Sequence, residues 1–277
     1  MTTESKIKNP EPIWQCDNIG AGFSAHEGVI KGLNLSVNAG EKIALLGTAQ
    51  SGKALLLRCL VGLRPVREGT FKVFGNEMKK LDYFEDWENI MPQSLRRRIG
   101  VCLEVEGLLS NVSVREGMEL LFRFKYGDHS AKLREGAKKI VDQTCAHFGL
   151  GASIHKRPNL LTSAERRLAG TARAFLSKPH VIVLENPSQN VGDLHRETLW
   201  RALDFVAADA GRTAIFSTED WSLAYRYCPR WIVMEDGKFV FDGSPREFLR
   251  GDHELVKGLR RLREIEASHR AAFEEVA

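Results

Sequence analysis

Lys42-Ile-Ala-Leu-Leu46, then Gly47-Thr48-Ala49-Gln50-Ser51-Gly52-Lys53-Ala54, then an apolar run ending at Leu63, is the stretch whose reading decides the fold. KIALL reads as a buried strand entering a loop at Gly47. Lys53–Leu63 (KALLLRCLVGL) reads as a helix that is apolar nearly all round, and therefore buried. The glycine and lysine spacing between the two elements is that of a phosphate loop. Successive backbone N–H groups and a helix N-terminus cradle phosphate there, and Lys53 reaches the β- and γ-phosphates. The motif departs at its end, because Ala54 stands where a Ser or Thr hydroxyl would meet Mg²⁺.

Outward from this stretch, short β-rich runs alternate with longer amphipathic ones, the pattern of an α/β fold. Val181–Leu184 (VIVL), Thr213–Ser217 (TAIFS) and Trp231–Met234 (WIVM) read as further buried strands. Asp236-Gly237 separates the last from Lys238–Phe241 (KFVF) and predicts a hairpin. Between Val105 and Leu160 the pattern turns helical. Ser113-Val-Arg-Glu116 has capping-box spacing ahead of MELLFRF, and Lys132–Leu150 carries a second long helical pattern.

At 277 residues, 43% hydrophobic and 27% charged, the chain has the composition of a globular protein with a sizeable core. A net charge of +4, spread along the chain, gives no argument for a nucleic-acid partner. Cys16, Cys59, Cys102, Cys145 and Cys228 form no CxxC pair and read as reduced thiols of a cytosolic protein. No apolar run reaches the roughly eighteen residues of a membrane span. Residues 1–12 lack the apolar centre of a signal peptide and are expected to be a flexible lead-in. In the tail, Leu255, Leu259, Leu262, Ile265, Ala272 and Val276 recur at helical spacing, so 249–277 is expected to form an amphipathic helix. It either packs on its own domain or meets a partner.

From about Trp14 to Arg250 the chain resembles the ATP-binding subunit of an ABC transporter. Gly40-Glu41-Lys42 stands at the family's entry to the first buried strand, and Phe23 sits about where an aromatic ring stacks on adenine. Ile99–Glu104 (IGVCLE) resembles the segment ending in the Q-loop glutamine, and Ala172-Arg173-Ala174 the ARA after the signature motif. VIVLENP, ending at Pro187, resembles the Walker B stretch, and Phe216–Asp220 (FSTED) the segment holding the switch histidine. The resemblance implies a P-loop NTPase core of mixed β-sheet flanked by helices, with an N-terminal antiparallel β-subdomain and a helical subdomain. The domain is expected over 13–248, with the helical part at about 105–164.

The departures fall on the chemistry. Glu185 replaces the Walker B aspartate, and Asn186 replaces the glutamate that deprotonates the attacking water. An amide is no base, and losing a general base typically costs about 10²–10⁴-fold. Glu219 stands at the switch histidine and Glu104 at the Q-loop glutamine, so carboxylates replace neutral or cationic donors near the γ-phosphate. A metal ion, if held, would fall to Glu185 and Glu104. Gln50 stands where the family usually has glycine, at a cost of roughly 1–2 kcal/mol if φ is positive there. Leu161-Thr162-Ser163-Ala164-Glu165 stands for LSGGQ. Ser163 and Ala164 add Cβ atoms where glycines allow close approach, and Thr162 with Glu165 has capping-box spacing.

The expectation is therefore a cytoplasmic subunit, peripheral to the inner face of the cell membrane, that binds ATP weakly through Gly47–Ala54 and Phe23, with Mg²⁺ uncertain. It would hydrolyse poorly or not at all, and scaffold or regulate a transport complex. The alternative is a slow but active ATPase. Implied partners are a transmembrane permease, docking along Glu104–Arg123, and a second ATP-binding subunit in a homodimer or heterodimer. Leu81–Gln93, acidic and aromatic, is either a partner contact or a solvated insertion. A soluble ABC protein of translation or DNA repair fits less well, since such proteins carry tandem cassettes or coiled-coil insertions. The tail after Arg250 resembles that of lipid-trafficking importers of the mammalian-cell-entry type, where it contributes to assembly.

Overall fold

The computed structural model describes residues 11–24, 27–80, 90–126, 131–176, 178–208, 211–252, 254 and 256–258. Most of the Leu81–Gln93 loop and of the 249–277 tail lies outside them, as do residues 1–10. Two sheets organise the chain. The first is antiparallel, built from β1 (Trp14–Ser24), β2 (Glu27–Val37), β4 (Glu68–Val73) and β5 (Asn76–Glu77) in the order β2-β1-β4-β5. The second has six strands: β3 (Lys42–Gly47), β6 (Ile99–Cys102), β7 (Val181–Glu185), β8 (Thr213–Ser217), β9 (Arg230–Glu235) and β10 (Lys238–Gly243). Its order is β10-β9-β3-β8-β7-β6, parallel except for the β9–β10 hairpin. The expected mixed sheet and antiparallel subdomain are both present, and every strand expected from periodicity lies within one of these.

Strict alternation along the central strands explains the layering. Ile43, Leu45, Val181, Val183, Ile215, Ile232 and Met234 face one core, which also takes in the buried side of the antiparallel sheet. Ala44, Leu46, Ile182, Leu184, Ala214, Phe216, Trp231 and Val233 face the other. Strands buried on both faces must be apolar throughout, which is why KIALL, VIVL and WIVM carried so clear a signal. Helix α1 (Lys53–Leu60) packs into the first core through Leu55, Leu56, Leu57, Cys59 and Leu60. It stops three residues short of the expected Leu63, because Gly62 turns to φ +71° and its N–H bonds Cys59 O. Leu63 is left exposed.

A short α2 (Gln93–Arg96) leads into β6. Next come α3 (Val114–Tyr126), α4 (Ala131–His147) and α5 (Ser163–Phe175), whose apolar faces share the second core. Ser113 caps α3 as its spacing predicts: its N–H and hydroxyl meet the Glu116 carboxylate, and Glu116 N–H donates to the hydroxyl. α6 (Asp193–Ala208), α7 (Trp221–Tyr227) and α8 (Pro245–Arg250) complete the chain. All five cysteines are free and buried. Burial raises every thiol above its usual range, Cys59 and Cys145 to about 12, so the thiols stay protonated. Among the described residues no helix is long and apolar enough to cross a membrane.

Candidate functional site

Parallel strands present their carboxyl ends along one edge, and that edge collects the candidate residues. β8 lies between β3 and β7, with Ser217 opposite both Leu45 and Glu185. The phosphate loop leaving β3, the Glu185-Asn186 pair ending β7 and the Thr218-Glu219 step after β8 are thereby neighbours. Thr218 N–H donates to Leu45 O, and Asn186 N–H to Ser217 O at 2.9 Å. Phe23 belongs to β1, but its side chain is outside the described set.

The loop keeps the backbone a phosphate cradle needs. Gly47, Gln50 and Gly52 have φ of +141°, +67° and +97°, so Gln50 does adopt the left-handed conformation that disfavours a side chain. A Cβ at Gly47 would lie 2.2 Å from Met234 O, so only glycine fits against β9. Gly237 N–H, in the β9–β10 turn, donates to Ser51 O and buttresses the loop from behind. Gly52 caps α1 without a side-chain bond, which leaves the helix N-terminus open toward the loop. Thr48, Ala49 and Gln50 are exposed, Ser51 and Lys53 buried. Lys53 folds back on the loop, its Nζ donating to Gly47 O at 2.9 Å, Thr48 O at 2.6 Å and Ser51 Oγ at 3.1 Å. Burial lowers its pKa, and the carboxylates of Glu219 and Glu185 act in the opposite sense, so both lie within electrostatic reach of the ammonium.

Glu185 is buried and already engaged. Its Oε2 accepts from the Glu104 N–H at 2.9 Å, and its Oε1 lies 3.5 Å from Arg58 Nη1. Glu104 was expected to offer a carboxylate to metal beside Glu185. It meets Glu185 through its main chain instead, and it is an exposed residue. Asn186 sits at φ +44°, a conformation its short amide tolerates, and its Oδ1 is buried without a hydrogen-bond partner. Glu219 is exposed, and Asp220 beside it caps α7 by accepting from Leu223 N–H.

Two arginines that the motif reading passed over organise this edge. Arg58 is the one charged residue after Lys53 in the apolar α1 run, and it pairs with Glu185. Arg167, 2% exposed on α5, donates to Leu103 O at 2.9 Å, Glu104 O at 3.0 Å and Glu185 O at 3.4 Å. A single guanidinium thus ties the α5 helix to the segment after β6 and to the end of β7. Arg58 showed as a lone charge in an apolar helical run, whereas Arg167, third in the charged stretch Glu165-Arg166-Arg167, carried no such signal.

At the start of α5 the Thr162/Glu165 capping box is formed on both sides. Glu165 N–H donates to Thr162 Oγ1, and Thr162 N–H to Glu165 Oε2 at 2.7 Å. The Ser153 hydroxyl and Lys156 Nζ also meet the Glu165 carboxylate. Hydrogen bonds from Ser153 and Thr162 lower its pKa to about 2. Ser163 is exposed, Ala164 buried under the first turn, and Leu161 buried before it.

Residues 30–189 match the family described as ABC transporter. The phosphonates import ATP-binding protein PhnC of Alcaligenes faecalis is 27% identical over 230 residues, 82% of this chain and 81% of that protein. The uncharacterized ABC transporter ATP-binding protein YbbA of Escherichia coli K12 is 30% identical over 221 residues, 78% of this chain and 91% of YbbA. This chain belongs to the ABC transporter family. Solved structures agree on the fold: the MJ0796 cassette, dimeric and bound to ADP and Pi, superposes with a TM-score of 0.73 at 23% identity, covering 86% of this chain and 99% of that one. CbiO1 from Clostridium perfringens gives 0.71 at 21% identity, covering 94% and 99%.

ABC transporter ATP-binding domains bind ATP, ordinarily with Mg²⁺, and the residues here fit the two ligands unequally. The cradle of Gly47–Lys53 fits phosphate. The metal position does not fit Mg²⁺: Ala54 has no hydroxyl, and both oxygens of Glu185 are turned to Glu104 N–H and Arg58. Among the described residues, no three of His, Cys, Asp and Glu converge on a point that could hold a metal ion.

Proposed function

We propose that this chain is the ATP-binding-type subunit of an ABC importer that serves assembly and regulation of the transport complex rather than hydrolysis. The observation that carries the reading is the end of β7. Asn186 cannot accept a proton from water, and the neighbouring Glu185 carboxylate is committed to Arg58 and the Glu104 N–H. The import direction is carried from the phosphonates and hypophosphite import proteins among the relatives. A permease segment would dock along Glu104–Arg123 and α3. Val105, Leu109, Leu120 and Phe124 are exposed along this stretch, and Phe124 borders a cleft of about 380 Å³ also lined by Arg96, Arg97 and Arg173. Such docking places the subunit at the inner face of the membrane, paired with a second ATP-binding subunit. The capped start of α5 supports a signature loop less suited to that partner's γ-phosphate, since the Thr162 and Glu165 N–H groups are already bonded and the Glu165 carboxylate brings negative charge to the helix N-terminus.

The test is phosphate release from Mg-ATP by purified protein, compared with Lys53→Ala. Equal rates are expected. A second reading, a slow ATPase, is favoured by the intact cradle and by relatives named as import ATP-binding proteins. Turnover clearly above the Lys53→Ala control would establish it and retire the first.

A further inference from the structure

We propose that the phosphate loop of this chain binds a nucleoside diphosphate without a divalent cation. The inference rests on the proposed reading of Gly47–Ala54 as a phosphate cradle in a subunit that does not hydrolyse ATP.

The argument is one of charge and ligand supply. Mg²⁺ at a nucleotide site is usually held by one or two carboxylates together with the phosphates, and it dehydrates reluctantly. Here the hydroxyl is missing at Ala54, and the buried carboxylate is satisfied by a guanidinium and an N–H. Freeing Glu185 for a metal ion would break its pairing with Arg58 and its bond from the Glu104 N–H. What Asn186 adds is one neutral amide oxygen. A cation arriving with the nucleotide would therefore find a competing guanidinium where it needs an anionic ligand.

The same groups argue against a third phosphate. Lys53 is the cation at the loop, and Glu185 and Glu219 already act on it. Glu219 follows Thr218, whose N–H bonds Leu45 O two residues before Gly47, so this carboxylate stands beside the loop by strand register. A γ-phosphate would bring further negative charge toward two carboxylates with no metal ion to offset it. The α- and β-phosphates instead meet the loop N–H groups and the open N-terminus of α1, which need no metal.

Fluorescent mant-ADP and mant-ATP titrated into the full chain, once with excess Mg²⁺ and once with EDTA, test the proposal. Expected are a mant-ADP affinity unchanged within about fivefold between the two conditions and mant-ATP binding no tighter than mant-ADP. Mg²⁺ tightening mant-ADP more than about fivefold, mant-ATP exceeding mant-ADP by that factor, or binding of neither nucleotide would each overturn it. Glu219→Gln, an exposed substitution that leaves the fold in place, should raise mant-ATP affinity relative to mant-ADP by roughly tenfold, and an unmoved ratio would refute the charge argument. Absence of binding overturns this proposal and leaves the non-hydrolysing subunit standing, whereas phosphate release from Mg-ATP, which needs bound Mg-ATP, defeats both.

Discussion

Replacing Arg167 by Met should destabilise the chain by about 3 kcal/mol, because two well-formed hydrogen bonds to main-chain oxygens would be lost from a buried position. Leu103 O and Glu104 O accept from Arg167 at 2.9 and 3.0 Å; the third contact, to Glu185 O at 3.4 Å, is too long to weigh equally. An orphaned carbonyl costs about 1–3 kcal/mol, toward the low end for Glu104 because it lies nearer to solvent. Methionine keeps most of the apolar volume, so little cavity cost is added. The guanidinium also carries its own burden, since its Nε has no partner and the nearest carboxylate, Glu106, is 4.0 Å away. Removing it returns part of the loss, which holds the sum near 3 kcal/mol rather than 6. Urea unfolding followed by intrinsic fluorescence measures this directly. At about 2–4 °C per kcal/mol, the melting temperature should fall by about 6–12 °C. Arg167→Lys should recover roughly half, since one ammonium cannot span both oxygens. A loss below about 1 kcal/mol in the Met variant would refute the view that Arg167 clamps these segments.

Thr162→Ala removes one half of the capping box on α5 and should cost about 1 kcal/mol in the same urea assay, while a neutral result would deny the cap any energetic role. Glu165 has a pKa near 2 against an ordinary 4.5, so its carboxylate contributes stability that is fully present above pH 4.5 and is lost as pH falls toward 2. Urea midpoints measured across that range should show the gap between wild type and Glu165→Gln closing with acidification; a constant gap contradicts the assignment. Gln50→Gly should stabilise by about 0.5–1 kcal/mol, since the relief at φ +67° exceeds the entropy that glycine loses on folding, and a drop in melting temperature would show that the side chain has a contact worth keeping.

How much of this was legible in the sequence depends on the range of the interaction. Strands buried on both faces announce themselves as unbroken apolar runs, and the two capping boxes read from the sequence are each written into four consecutive residues, Ser113–Glu116 and Thr162–Glu165, whereas a third, Ser244–Glu247 on α8, was passed over. The glycine spacing of the Gly47–Lys53 loop was equally plain, and the strain raised there as conditional on a positive φ at Gln50 has its condition met at +67°. Helix α1 was read three residues too long because Gly62 looks, in sequence, like one more member of an apolar run. The contacts of Arg58 with Glu185 and of Arg167 with Leu103, Glu104 and Glu185 span separations that leave no periodic trace. Arg58 stood out as a charge in an apolar helical run, though with no partner named, and Arg167, one of three consecutive charges, did not stand out.

Those long-range contacts also change the meaning of the altered motifs. Each substitution, taken alone, looks like a missing catalytic part. In the fold, replaced groups turn toward their own chain, Glu165 to its helix N-terminus and Glu185 to Arg58 and the Glu104 N–H, and the retained Lys53 turns to the carbonyls of its own loop. Polar groups that await a ligand must be left under-satisfied in the apo protein, at a cost of order 1–3 kcal/mol each, whereas internally satisfied groups stabilise the empty state. The edge of the sheet in this chain leans toward the second arrangement. On the proposed reading, such a site would hold its shape at a permease or partner surface without ATP turnover, and nucleotide binding would have to compete against bonds already made. Phosphate release by the wild-type chain above the Lys53→Ala control would show that competition to be won and this account of the site to be mistaken.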